Sequence, residues 1–466
     1  MAKLWAPVSG LLLAGIAGIV VVDQLNDTIR AEVVGQTIGW YLLAFVGFLG
    51  AVWLNERHPI NWKWLWIVAI VARILLLFTS PTLSDDVYRY LWEGHLLSEG
   101  VSPYQAPIFD RSLDAFTIPA REFVNNPTLA SPYLPAAHAI FAFAAVLFPS
   151  EPVTMQIIMV VLELGAAVLL VRLLTLVGAA RERVLLWLWN PLVIVEVAHG
   201  AHLDAIMIVL AMGALVLTLD PTLNETRGGR IGGPVLMALA TLTRPIPVLL
   251  LPVVFWRWSW SQRILYAATV VGAVIPFGLW SGLGLGNAAG GVGVFGSARS
   301  YTETFRFNTA TYQAVERWIS SRGLDDRGWN EPAALTRLVV AIVFVVIMAW
   351  VWNRARTVSD PLSVLRLMLV PVVAYVLLTP VFHPWYGLIL FALVIFHAPV
   401  EGEPTLRWSV LAPWAWLGGA VVLSYLTYRD PSRFAELAWV RRVEWWPVLL
   451  VGLGVLATRR RWARTS

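Results

Sequence analysis

A chain that repeats apolar runs of about 15–20 residues along its whole length has few folds open to it, because about 20 such residues cross a bilayer as a helix. These runs lie at 7–22, 36–54, 63–80, 153–178, 183–198, 203–219, 231–243, 246–256, 263–281, 335–353, 363–379, 384–398, 406–427 and 442–458. In hydrocarbon every backbone N–H and C=O must be satisfied internally, so only helices or closed barrels can span. A barrel would need roughly ten-residue strands of alternating polarity, and these runs are continuous. The sequence therefore predicts an all-α, polytopic transmembrane helical bundle of about 13–14 spans, a single membrane domain over residues 1–466. Only 14% of residues are charged, where a soluble domain carries roughly a quarter. Tryptophans gather at run ends, in WKWLW at 62–66, WRWSW at 256–260 and EWW at 444–446, as in an interfacial aromatic belt.

The basic loops are Asn55–Lys63, Arg181–Arg183, Thr226–Arg230, Trp256–Arg263, Asn353–Arg356 and Arg459–Arg464. The positive-inside rule puts all of them in the cytoplasm only if the further apolar segment 134–148 does not cross. That segment is therefore predicted to be an interfacial or re-entrant helix within an external region, 81–152. Both termini become cytoplasmic, 282–334 becomes a second long external loop, and the expected location is the plasma membrane. The net charge of +5 is explained by these loops and carries no reading of nucleic acid. Zero cysteines remove disulfides, thiolate chemistry and Cys-ligated metals. Met1–Val22 reads as a retained helix rather than a cleaved signal. The pieces 231–243 and 246–256 are separated by Arg244-Pro245-Ile246-Pro247, and broken helices at membrane depth belong where they line protein or a watery cavity. Gly282–Gly296 reads as a mobile cover or a plain linker.

The most polar interruption follows Trp64–Phe78: Ser84-Asp85-Asp86-Val87-Tyr88-Arg89-Tyr90-Leu91-Trp92-Glu93-Gly94. Adjacent carboxylates at a bilayer edge are costly to desolvate unless they face water or a partner, which marks a functional site. Val87–Leu97 reads as an amphipathic helix with Asp85/Arg89 and Arg89/Glu93 spaced i, i+4. Ser84 and both Asp also suit a helix N-terminus, so capping and catalysis stand as two readings of one segment. His199, His202 and Asp204, with Glu196 just upstream, offer ligands to a divalent cation (Mg or Mn), and Asp86, His202 and Asp204 are a second grouping; the plainer reading is a hydrated turn. Arg244 needs an anion, either a phosphate or an internal partner such as Glu163, Glu196 or an external Asp. Arg306 and Asn308, and His383 and Tyr386 of Phe382–Tyr386, are each ordinary interfacial anchors taken singly. Their common face points to a site that opens outward. Transfer of a sugar from a sugar phosphate to an alcohol needs a carboxylate to take the acceptor proton and cations to hold the departing phosphate. Asp85 or Asp86 with Arg244, and Arg306 or His383, meets that need.

The runs SDDVYRYLWEGHLLSEGVSPYQAP, SPYLPAAHAIFAFAA, WNPLVIVEVAHGAHLDAIMI, LTRPIPVLLLP, FRFN and FHPWYGLILFAL resemble the integral-membrane GT-C glycosyltransferases. Within these they are most similar to bacterial polyprenyl-phosphate-mannose-dependent α-mannosyltransferases, the group that includes lipomannan α-1,6-mannosyltransferases. The likeness covers about residues 63–450. It implies inverting transfer of a hexose, mannose by resemblance, from a polyprenyl-phosphate-sugar donor to a lipid or glycan acceptor at the external face, among membrane lipids. It implies a general base at Asp85 or Asp86, and Asp204 lining the site. Adjacent residues at a helix start point about 100° apart, so both cannot face one oxygen equally; Asp85 is favoured as the base and Asp86 for contact with the face of Tyr90. Arg89, Tyr133, His199, His202, Arg244, Arg306, Asn308, His383 and Tyr386 are the accompanying substrate-binding candidates. Arg244 stands where members often carry Lys, and Tyr133-Leu134-Pro135 where many read Pro-Pro-Leu. The competing class is a membrane transporter or lipid flippase, which explains a broken helix and a buried Arg equally well but predicts inverted repeats and midplane polar residues. A structural subunit leaves the acid–arginine set unexplained.

Overall fold

The computed structural model describes residues 2–26, 30–148, 151–281, 291–297, 299–300, 305–323, 334–397, 408–429 and 436–465. Most of the expected glycine-rich cover, and Tyr301–Thr304, lie outside the described residues. Numbering the longer helices in chain order, α1 is Ala2–Leu25, α2 Arg30–Asn55, α3 Trp62–Leu76, α4 Asp86–Ser98, α5 Pro135–Leu147, α6 Pro152–Leu176, α7 Asp204–Leu219, α8 Arg227–Thr243, α9 Trp260–Trp280, α10 Tyr312–Ser321, α11 Ala334–Ala355, α12 Pro361–Leu378, α13 Trp408–Ala420 and α14 Ala438–Thr465. The chain is an all-α bundle, and among the described residues β pairing is limited to one isolated bridge, Phe307 to Val381. Side chains start several helices by taking orphan N–H groups. Asn61 accepts from Lys63 and Trp64, Ser259 and Gln262 form a capping box, and Asp360 accepts from Ser363.

Six helices among the described residues, α1, α2, α6, α9, α11 and α12, are long and apolar enough to cross a membrane. A seventh crossing arises if Pro191–His199 and α7 are taken as one span bent by 119°. Other apolar runs of the sequence become shorter helices, such as Ile246–Arg257 and Pro384–His397. Proline accounts for much of this: Pro247 and Pro252 interrupt the first and Pro384 opens the second, and a ring without an N–H cannot continue a helix. Hydropathy counts apolar residues and does not register where the helix breaks. The outer surface is apolar in turn. Val345 and Val346 of α11 are each 62% exposed, as befits a lipid-facing side.

Inside the bundle, Arg73 of α3 meets Glu163 of α6 in a fork. Nε lies 2.6 Å from Oε2 and Nη2 2.8 Å from Oε1, while Nη1 donates to the carbonyls of Ala69 and Leu188. Both side chains are fully buried. Glu163 is thus Arg73's partner and not Arg244's.

Two ends of the bundle differ. At one, basic loops pair: Arg181 lies over Trp62, Arg356 over Trp256, and Arg257 donates to the Ala355 carbonyl. At the other lie α4, α5, the bend at 199–204, Arg244 and the 383–386 turn. Helix α5 has 13 residues, about 20 Å at 1.5 Å per residue, which is shorter than a hydrocarbon core. It lies against α4 so closely that a Cβ at Gly94 would sit 2.2 Å from the Phe141 carbonyl oxygen. Only glycine permits that approach. Its far side exposes Phe143 and Val146, followed by Phe148.

Candidate active site

Helix α4 begins at Asp86, with Asp85 as its N-cap residue, yet Asp85 makes no side-chain capping bond. The carboxylates are instead tied together from outside. The Asn125 amide nitrogen donates to Asp85 Oδ1 at 2.7 Å and to Asp86 Oδ1 at 2.8 Å. Both acids are half-buried, so one amide holds two like charges side by side where solvent still reaches.

Arg89 was expected to bind substrate; its fork is already filled. Nη2 donates to the carbonyls of Asn125 (2.5 Å) and Asn126 (3.0 Å), and Nη1 to Glu93 (3.2 Å) and the Ala130 carbonyl (3.4 Å). Only 2% exposed, it fastens the 125–130 loop to α4 and so holds Asn125 over the acids. The other Glu93 oxygen takes Ser131 Oγ at 2.6 Å and His138 Nε2 at 3.0 Å. His138 Nδ1 in turn lies 3.1 Å from the Tyr104 hydroxyl. Tyr133 is buried against Tyr90 and Phe141, with centroids 5.2 and 5.4 Å away. Burial first, and the Asp86 carboxylate second, push the Tyr90 and Tyr133 phenols well above their ordinary range, so both stay neutral.

The second acid cluster grows from an irregular turn. Residues Val195–His199 form one π-helical turn, followed by Ala201 in the left-handed region at φ 54°. His199 is fully buried. The Thr82 N–H donates to Nε2 at 3.2 Å, which leaves the proton on Nδ1, 2.8 Å from Thr79 Oγ1. The ring therefore pins the 79–82 turn that leads into the acid pair, with both nitrogens engaged by Thr79 and Thr82. His202 is also fully buried, stacked on Trp385 at 3.9 Å. Its Nε2 lies 3.1 Å from Glu196 Oε2, and its Nδ1 lies 3.9 Å from Asp86 Oδ2.

Arg244 caps α8 in an extended conformation. Its guanidinium sits 3.5 Å from Asp204 Oδ2 and 4.8 Å from the centre of the Tyr386 ring. The external-Asp partner foreseen for it is thus Asp204, which is fully buried. His383 lies flat between Trp385 (4.4 Å) and Phe307 (4.6 Å), extending the stack that His202 begins. Arg306 and Asn308 do not join this cluster in the manner expected. Arg306 turns to α10, 3.6 Å from Glu316 and over the Tyr312 ring. Asn308 is buried, with its backbone N–H on Glu436 and its side-chain and backbone oxygens both accepting from Trp445 Nε1. Both buttress the Phe307–Val381 bridge that holds the 383–386 turn.

Among the described residues, no three of His, Cys, Asp and Glu are placed to share a metal ion. Asp86, His202 and Asp204 therefore do not form the ligand set the sequence allowed: Asp204 is drawn to Arg244. A cavity of about 620 Å³ lies at the basic-loop end, lined by Asn224, Glu225, Arg230, Arg257, Ser259 and Gln262 among others. It holds one carboxylate, not a pair, and is not the site. Sequence reading missed Asn125 and Tyr425. Asn125-Asn126-Pro127 signals only a turn, and nothing local ties it to acids some 40 positions upstream.

Residues 5–260 match the family described as alpha-(1->6)-mannopyranosyltransferase, N-terminal domain. An alpha-(1->6)-mannopyranosyltransferase A of Mycobacterium tuberculosis is 24% identical over 443 residues, covering 85% of this chain and 80% of its own. One of Corynebacterium glutamicum is 26% identical over 188 residues, covering 39% of this chain and 36% of its own. No solved structure matches.

Proposed function

The chain belongs to the alpha-(1->6)-mannopyranosyltransferase family and is therefore a glycosyltransferase, and from that premise we propose that it moves mannose from a polyprenyl-phosphate sugar to a hydroxyl of a lipid or glycan acceptor, on the external face of the plasma membrane and with inversion. The observation that carries this reading is the carboxylate pair bridged by Asn125, with the Arg244–Asp204 pair near it at the same end of the bundle. An inverting displacement places base and leaving group on opposite faces of the sugar. The acceptor O–H breaks as its proton passes to a carboxylate. Its oxygen then bonds to the anomeric carbon, and the bond to phosphate breaks with the electron pair leaving on phosphate. We assign the proton to Asp86. Its Oδ1 is held by Asn125, while its Oδ2 faces His202. Asp85 then keeps the loop and the local charge in place. Arg244 holds the departing phosphate: its 3.5 Å contact with Asp204 is long for an ion pair, and the guanidinium has further N–H groups to give. The family match gives no support to the transporter or flippase alternative.

Purified protein given polyprenyl-phosphate-mannose and a membrane lipid extract should form a product heavier by one hexose by mass spectrometry. No such product, with the donor intact, would overturn the proposal. The sidedness has its own test, made clean by the absence of cysteine. Asp110→Cys and Glu122→Cys, at exposed positions, should react with an impermeant maleimide on intact cells. Arg57→Cys, Gly228→Cys and Thr357→Cys, also exposed, should react only after permeabilisation. The reverse pattern would move the site to the cytoplasm and remove the case for a lipid-linked donor.

A further inference from the structure

Glu196 is a buried carboxyl that the transfer chemistry above leaves unused. It is 2% exposed, and both of its oxygens accept from the Tyr425 hydroxyl, at 3.0 and 2.8 Å. Burying a carboxylate is costly unless it is well partnered. The backbone around it is also unusual. Glu196 lies in the π-helical turn, the His202 N–H reaches back to the Glu196 carbonyl at 3.0 Å, and Ala201 is left-handed. Gly200 closes the turn: a Cβ there would lie 2.8 Å from His202 Cδ2 and 2.9 Å from the Glu196 carbonyl oxygen. Single π turns and left-handed non-glycine residues cost energy and gather at functional sites.

What this turn presents is His202. The stack of His202, Trp385, His383 and Phe307, with centroids 3.9, 4.4 and 4.6 Å apart, fixes the plane of the imidazole. Nε2 lies 3.1 Å from Glu196 Oε2 and Nδ1 lies 3.9 Å from Asp86 Oδ2, and neither buried ring nitrogen has a hydrogen-bond partner among the described residues. A small shift that lines Nε2 up with the Glu196 carboxylate draws the ring proton to that nitrogen and leaves the Nδ1 lone pair toward Asp86. Once Asp86 has taken the acceptor's proton on Oδ2, it becomes a donor to that lone pair. The contact is thus stronger after proton transfer than before it, which is the kind of interaction that raises turnover. Catalytic contacts of this length commonly tighten when substrate closes a site.

We infer that Glu196 is a positioning residue that acts through His202 to stabilise Asp86 once it has taken the acceptor's proton. This rests on Asp86 being the base. The test uses full-length Glu196→Gln and Tyr425→Phe proteins with polyprenyl-phosphate-mannose and lipid extract, measuring kcat, donor KM and thermal unfolding. Glu196→Gln should lower kcat by about tenfold or more while donor KM stays within about twofold. Its Tm should not fall, because a neutral amide is cheaper to bury than a carboxylate. Tyr425→Phe should lower kcat by a smaller factor. A purely structural Glu196 would give the opposite split, a lower Tm with normal turnover per folded molecule, and that result overturns the inference. Unchanged kcat in Glu196→Gln overturns it too. Should Glu196→Gln fail to fold, Tyr425→Phe decides, and normal kcat there overturns the inference. Asp86→Asn separates the two levels. If it stays active, the base assignment itself is wrong; if it is inactive while Glu196→Gln is normal, only the positioning role falls.

Discussion

Asp86→Asn should lose about 10²–10⁴-fold in turnover, the usual contribution of a general base, while the protein still folds and binds donor. The substitution keeps the shape of the side chain and an oxygen for Asn125 to donate to at the position now 2.8 Å away, so the loop should stay in place. What it removes is the oxygen that can keep a proton. Asp85→Asn should do less, because Asp85 is tied to the same amide without facing His202 in the way Asp86 does. Arg244→Ala is the informative contrast. It should weaken donor use rather than proton transfer, since the phosphate loses a charge-assisted partner. Steady-state kinetics on the three variants, with circular dichroism to confirm folding, separates these roles. Near-normal turnover in both Asn variants would remove the base from this loop altogether. Loss in Asp85→Asn with activity in Asp86→Asn would return the role to Asp85, the residue the sequence favours.

Glu163→Leu should destabilise the bundle by about 3–5 kcal/mol, the typical cost of breaking a buried ion pair from one side. Arg73 would remain fully buried with its charge, keeping only its bonds to the carbonyls of Ala69 and Leu188. The pair lies between α3 and a membrane-spanning helix, so water cannot come in to replace the lost carboxylate. Arg73→Met together with Glu163→Leu should recover most of the loss, because apolar residues of similar volume often replace a buried pair without penalty. Thermal unfolding in detergent, with size-exclusion profiles of the expressed protein, reads the difference. Equal stability of Glu163→Leu and the wild type would show that the fork is dispensable. A double variant no better than the single would mean that shape, not charge balance, is what the fork supplies.

The hydrophobic runs alone determined that the chain is an all-α membrane bundle, because a bilayer leaves a continuous apolar segment no other way to satisfy its backbone. The acid pair at Asp85 and Asp86 and the cation at Arg244 were legible for the same reason: charge at a membrane edge stands out against a background that excludes it. Periodicity and charge are local properties, however, and the partner of each charge is not local. The i, i+4 spacing of Arg89 and Glu93 foretold their ion pair, but not that the fold also spends Arg89 on the carbonyls of Asn125 and Asn126. His199 and His202 look alike in sequence, yet one pins a turn while the other lies between Glu196 and Asp86. Asn125, Tyr425 and the stack of four rings have no sequence signature, since each depends on segments far apart in the chain meeting at one end of the bundle. The proline breaks decided where apolar runs stop being spans, and hydropathy is blind to them. The kinds of groups available to the site were therefore set by composition along the chain. Which of them lie near one another was set by packing, because only a folded bundle brings a buried carboxylate, an imidazole and a half-buried acid together.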